Sequence, residues 1–195
     1  THQPIEHLAS LRAMPNLEVI RPADVNETFL AWHWLLGSSS VPTALVLSRQ
    51  KLPIMERSRI PDDAVEKGAY VYSDCEGEPE LIMIGTGSEV SLCLEAAELL
   101  DGVPVRVVSM PSTSRFRQQD RAYRDSILPP AVKARMSVEF GSTLGWVRWV
   151  GDAGESVGID HFGASAPFDE ITEHFGLTPA DIAGRARALV ERVNG

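Results

Sequence analysis

The run Thr43-Ala44-Leu45-Val46-Leu47-Ser48 restricts the fold more than any other stretch of the chain. Its apolar residues are consecutive, whereas a strand with one face in water alternates polar and apolar every second residue. A continuous run predicts a strand covered on both faces, as in a parallel sheet. Parallel strands need a crossover, and one lies just upstream. Leu17 to Ile20 is a short apolar run closed by Arg21-Pro22, and Asp24 is placed to cap a helix with Glu27 three residues on, a variant of the capping box. Val25, Phe29, Trp32 and Leu36 fall at i, i+4, i+7 and i+11, one apolar stripe that Gly37 and three serines bring to an end. Residues 17–48 therefore read as one βαβ unit.

Upstream, a polar turn from Thr1 to Gln3 meets Pro4, which suits a first helical turn, and Ile5, Leu8 and Leu11 recur at helical spacing. This places His2 just ahead of a helix N-terminus. Downstream, periodicity stops from Lys51 to Lys67, amid prolines and scattered charges, and this stretch reads as an interdomain linker. Strands are then expected at 68–73 and 80–84, followed by Gly85-Thr86-Gly87 and a helix capped by Ser88 with the stripe Val90, Leu94 and Ala97. A strand at 104–110 completes a second βαβ unit. A polar surface helix is expected over 115–124, strands at 134–140 and 156–160, and a helix around Trp146 and Trp149. Two helices close the chain, Phe168 to Phe175 and one capped by Thr178 with Pro179 first and Asp181 three on. The expected fold is α/β: a three-layer α/β/α domain with a mainly parallel sheet, preceded by a partial βαβ piece.

Charge narrows the partners. The formal net charge is −9, which argues against nucleic acid and anionic membrane, both of which demand a cationic footprint. Residues 1–60 hold six Lys and Arg against five Asp and Glu, the remainder twelve against twenty-two, so an anionic ligand is favoured in the first third. No run approaches a membrane span. The chain opens on Thr1 with neither an initiator Met nor a signal-peptide pattern, which reads as the start of a fragment. Cys75 and Cys93 offer neither metal spacing nor a disulfide framework, as suits a reducing, cytoplasmic setting.

Thr1-His2-Gln3-Pro4, Leu47-Ser48-Arg49-Gln50, Ile84 to Val90, Arg106 to Ser112 and Phe162 to Pro167 resemble runs found in the same order in the transketolase family. The resemblance covers essentially the whole chain but only the C-terminal portion of such an enzyme. It implies that residues 1–67 are the end of the pyrimidine-binding domain plus linker, and that residues 68–195 are the transketolase C-terminal domain. It further implies a parent enzyme using thiamine diphosphate and Mg²⁺ to move a glycolaldehyde unit between sugar phosphates in the pentose phosphate pathway, with sites formed between the subunits of a homodimer. In the family a Gly-Asp-Gly motif with a downstream asparagine holds the diphosphate and metal. Neither occurs here, so the chain alone is expected to bind no cofactor and to be inactive.

Two residues are candidates for the site. A histidine ahead of a helix is, by pattern alone, a polar cap residue. By resemblance His2 is the family's catalytic histidine, near the reactive carbon and hydrogen-bonded to sugar hydroxyls, where a neutral imidazole moves protons between oxygens. Arg49 follows an apolar parallel strand, at the edge where open α/β sheets bind ligands, and a guanidinium forks onto phosphate oxygens. A surface arginine ending a strand is the plain alternative; by resemblance Arg49 binds the substrate phosphate. Gly85 to Ser88 has the form of an anion-cradling loop but lacks a third glycine, and reads as a tight turn outside the active site. His7, His33, His161 and His174 read as structural, the four tryptophans as core or interface, and Arg115, Arg117, Arg121 and Arg124, interleaved with Asp120 and Asp125, as a solvated face. Dihydroxyacetone synthase and other thiamine diphosphate enzymes are alternatives. So is a non-catalytic assembly or ligand-sensing module, which a ligand at the Gly85 loop would favour; an exposed apolar face where further chain should pack would favour the fragment.

Overall fold

The computed structural model describes residues 3–38 and 40–195. In chain order the elements are α1 (His7–Ala13), β1 (Glu18–Ile20), α2 (Val25–Ser38), β2 (Thr43–Leu45), a 3-10 turn (Arg57–Arg59), α3 (Ala64–Lys67), β3 (Tyr70–Ser73), β4 (Leu81–Gly85) and α4 (Glu89–Glu98). There follow β5 (Val105–Ser109), α5 (Thr113–Gln118), α6 (Arg121–Ile127), β6 (Arg135–Val138), α7 (Val147–Val150), β7 (Glu155–Val157), α8 (Phe168–His174) and α9 (Pro179–Asn194).

Both crossover units form. β1 and β2 pair in parallel as a two-stranded sheet, with α2 between them in sequence. The second sheet has the order β3-β5-β4-β6-β7, parallel throughout except for β3, which pairs antiparallel with β5. Alternation along β4 divides the core in two. Leu81 and Met83 pack with Cys93, Ala96, Ile182 and Leu189 of α4 and α9, while Ile82 and Ile84 pack with Phe116, Ile127, Trp146 and Trp149 on the opposite face. This is a three-layer α/β/α domain. The capping box of α9 is as expected, with Thr178 accepting from the Asp181 N–H and Asp181 accepting from the Thr178 N–H.

Several expectations need correction. The first helix starts at His7, not Pro4, because the Gln3 carbonyl accepts the Gly163 N–H at 2.7 Å and Ile5 packs onto the C-terminal core. α2 turns its stripe outward: Val25, Phe29, Trp32 and Leu36 are 59%, 68%, 48% and 79% exposed. The buried face is Glu27, Leu30, Ala31 and Trp34, also at helical spacing, so the sequence carries two competing apolar faces and the one packed here contains a carboxylate. Ordered donors allow this. Glu27 accepts hydrogen bonds from the Ala23 N–H, Tyr70 hydroxyl and Ser109 hydroxyl at 2.7, 2.8 and 2.6 Å. Burial still raises its pKa above the usual carboxylate value, the three donors only partly offsetting it. Asp24 caps α2 through the Glu27 N–H at 2.9 Å, but Glu27 reaches back one residue further than a capping box requires.

β2 is half-buried rather than covered on both faces, since β1 is its one neighbour among the described residues. The 51–67 stretch, read as a linker, is packed: Met55, Ile60, Ala64 and Val65 are buried with Trp34 and Tyr70, joining the two sheets through one core. Ser88 occupies the N-cap position of α4 without a capping hydrogen bond; its hydroxyl donates to the Glu89 carboxylate instead. The polar helix expected over 115–124 is two short ones, α5 and α6, each begun by its own cap, Ser112 and Asp120.

Candidate active site

The carboxyl ends of both sheets face each other. β1 ends at Ile20 and is followed by Arg21; β4 ends at Gly85 and is followed by the Thr86 to Ser88 turn; β6 ends at Val138 and is followed by Glu139 and Phe140. Arg21 bridges the gap. Its Nη1 donates to the Thr86 carbonyl at 2.8 Å and to the Glu89 carboxylate, and lies 3.5 Å from Glu139. Its backbone N–H donates to the Pro111 carbonyl, and its carbonyl accepts the Gly87 N–H. Gly87 has φ of +60°, and a Cβ there would lie 2.8 Å from the Arg21 side chain, so the close approach needs glycine twice over.

Two arginines and two glutamates form this buried cluster, and their charges cancel. Arg12 donates both terminal nitrogens to Glu139, and the Trp146 indole N–H adds a third donor at 2.8 Å. Glu89 accepts from the Phe140 N–H at 3.0 Å as well as from Arg21 and Ser88. Burial alone would raise the Glu139 pKa; Arg12 first, then Arg21 and Trp146, reverse it and hold the carboxyl below the usual range. Burial likewise opposes the Arg21 charge, and Glu89 outweighs it.

In front of this cluster is a cavity of about 350 Å³ whose walls include Gln3, Arg21, Arg49, Gln50, Ser88 and Phe140. Arg49 is exposed and makes no ion pair among the described residues, so it is the wall's uncompensated positive charge, Arg21 being neutralised. β2 ends at Leu45, four residues before Arg49; the arginine extends beyond the sheet edge rather than sitting on it. His2 lies outside the described residues. Its neighbour Gln3 lines the cavity. Ser88 lines it too, so the turn excluded on sequence grounds borders the same space as Arg49.

The other histidines do not converge. His7 and His33 are exposed, and His161 and His174 pack against Phe175 at ring separations of 4.9 and 5.1 Å. Among the described residues no group of three His, Cys, Asp or Glu is placed to hold a metal ion. Sequence reasoning missed Arg21, Glu89 and Glu139. The rule that singled out Arg49, a charge just past an apolar strand, also picks out Arg21; Glu139 falls inside the strand expected at 134–140, which the structure ends at Val138, and Glu89, inside a helix, carries no such signal.

A two-stranded parallel sheet and a mainly parallel five-stranded one, joined through one core with their carboxyl ends around a cavity that Arg49 lines, define an α/β protein with its cavity at the strand ends where such folds bind ligands. Residues 68–178 match the family model described as the transketolase-like C-terminal domain, and residues 1–55 that of the transketolase pyrimidine-binding domain. A transketolase from Geobacillus stearothermophilus is 51% identical over 194 residues, covering 97% of this chain and 29% of the relative; one from Halalkalibacterium halodurans is also 51% identical, over 98% and 29%. The solved transketolase from Leishmania mexicana superimposes with a TM-score of 0.92 at 41% identity, covering 100% of this chain and 28% of that one. A Pichia stipitis transketolase solved in complex with sedoheptulose 7-phosphate gives 0.91 at 39% identity, again over 100% and 28%. The chain belongs to the transketolase family. It spans less than a third of the length of these relatives.

Proposed function

We propose that this chain is the C-terminal part of a transketolase, residues 1–67 being the end of the pyrimidine-binding domain with its linker and residues 68–195 the C-terminal domain. The parent enzyme transfers a two-carbon ketol unit from a ketose phosphate to an aldose phosphate, in the pentose phosphate pathway or the Calvin cycle, as a cytoplasmic homodimer. Arg49 binds the phosphate of the sugar and His2 hydrogen-bonds its hydroxyls near the reacting carbon. The observation that carries this reading is the uncompensated Arg49 on a cavity that Gln3, the residue after His2, also lines.

Thiamine diphosphate supplies the carbanion chemistry in this family. The residues present do not fit its diphosphate and Mg²⁺: Gly151-Asp152 is followed by Ala153, so no Gly-Asp-Gly run exists, and no acidic cluster suited to a metal occurs among the described residues. The chain alone is expected to turn nothing over. The outward stripe of α2 supports the same reading, since a contiguous apolar row of this size marks a surface that packs against further protein.

The test is replacement. Substituting this chain for the matching stretch of the Geobacillus stearothermophilus transketolase is expected to yield a chimera with ketol-transfer activity, lost on His2→Ala, while the isolated chain with thiamine diphosphate and Mg²⁺ turns nothing over. Activity in the isolated chain, or a folded chimera without activity, contradicts the reading.

A further inference from the structure

A second cleft, of about 210 Å³, lies apart from the Arg49 cavity, between α1, the start of α5 and the 144–149 segment. Three arginines line it, Arg12, Arg117 and Arg148, and no carboxylate does, in a chain with nine more acidic than basic residues. Arg12 is neutralised by Glu139 at its terminal nitrogens and keeps its buried Nε–H without a partner. Arg117 and Arg148 make no side-chain hydrogen bond or ion pair among the described residues. Both are exposed, and both border the same space. Thr113 adds a hydroxyl, whereas the Ser114 hydroxyl is already donated to buried Glu18. Leu144 and Trp149 supply an apolar wall.

Two unpaired guanidiniums sharing a concave surface repel each other and are relieved by a ligand of opposite charge. Planar donor forks match tetrahedral oxyanions, with charge-assisted hydrogen bonds roughly twice as strong as neutral ones. We propose that this cleft is a binding site for a phosphate group, held by Arg117 and Arg148 with Thr113. The site is separate from the substrate phosphate site assigned to Arg49 and does not depend on that assignment.

Calorimetric titration of the chain with inorganic phosphate at constant ionic strength tests it. Saturable binding is expected, weakened roughly tenfold by either Arg117→Gln or Arg148→Gln and further by both, since each substitution removes one charge-assisted hydrogen-bonding group. Neither side chain has a hydrogen-bond or ion-pair partner among the described residues, so the thermal unfolding midpoint should stay put in these variants. Arg49→Gln, which removes the phosphate-binding group assigned to the other cavity, serves as the control: the binding that responds to Arg117 and Arg148 should persist in it. Phenyl phosphate distinguishes the source of the group. Tighter binding than inorganic phosphate indicates a monoester whose flat body rests on Leu144 and Trp149, equal binding a free phosphate, and each supports the site. Absence of saturable binding, binding unaffected by the double Arg117/Arg148 variant, or binding abolished by Arg49→Gln alone would overturn the proposal.

Discussion

Arg12 and Glu139, 127 positions apart in sequence, meet as a two-pronged ion pair at 2.6 and 2.8 Å, joining α1 to the residue that follows β6. With Arg21 and Glu89 this pair holds the N-terminal unit against the C-terminal domain, and Arg21 of the cluster, like Ser88 and Phe140, which hydrogen-bond to its Glu89, is a wall of the Arg49 cavity. Domain contact and site shape therefore share the same side chains.

Removing Arg12 leaves buried Glu139 with the more distant Arg21, at 3.5 Å, and the Trp146 N–H as its remaining partners. Arg12→Met is expected to lower the unfolding free energy by about 3–5 kcal/mol, measured by urea denaturation. Arg12→Met combined with Glu139→Leu should cost less than the sum of the single changes, because neither charge is then orphaned.

Two of the buried carboxylates, Glu139 and Glu27, have opposite pH signatures. Glu139 is held below its ordinary 4.5 in the folded state, so the unfolded chain binds its proton more tightly. Its stabilising contribution is full above about pH 4.5 and is lost as pH falls through the folded value. Glu27 is raised above 4.5 by burial, so its contribution is full below that value and is lost as pH rises through the raised one. Stability curves against pH should show the gap between wild type and Glu139→Gln closing in acid, and that between wild type and Glu27→Gln closing as pH rises.

Gly87→Ala introduces both a strained φ and a close approach to Arg21. A destabilisation of roughly 1–3 kcal/mol in chemical denaturation is expected, typical of a non-glycine residue forced into a sparsely populated backbone region. Gly77→Ala, at φ of +81° but with nothing near its Cβ, should cost less, which separates the steric part from the backbone part.

The outward row on α2 makes its own prediction. Replacing Phe29, Trp32 and Leu36 with Gln should change the stability of the isolated chain by no more than about 0.5 kcal/mol per site, as for exposed positions in general. Dye binding to exposed apolar surface should fall sharply in the same variant. A large drop in stability would mean that the stripe is packed in the isolated chain.

Much of the fold is legible because it is written locally. Continuous apolar runs mark β2 and β4, and a Thr-Pro-x-Asp cap marks α9 to the residue. What stays hidden depends on residues distant in sequence. Which face of α2 goes inward is decided by Tyr70 and Ser109, which supply donors to Glu27 from 43 and 82 positions away. Similarly, nothing near Glu89 announces that Arg21 will pair with it across 68 positions. Of the candidate site, Arg49 is readable from its place after a strand, but the role of the Gly85 to Ser88 turn as a wall of its cavity emerges only when the two sheet edges meet.

The most direct test of the assignment is a pair of Michaelis constants in the chimera carrying Arg49→Gln. If Arg49 meets the substrate phosphate, KM for a phosphorylated ketose donor should rise by roughly tenfold or more, as expected when a charge-assisted hydrogen bond to phosphate is removed, while KM for an unphosphorylated ketose is unchanged. An equal change for both donors, or none for either, would contradict it.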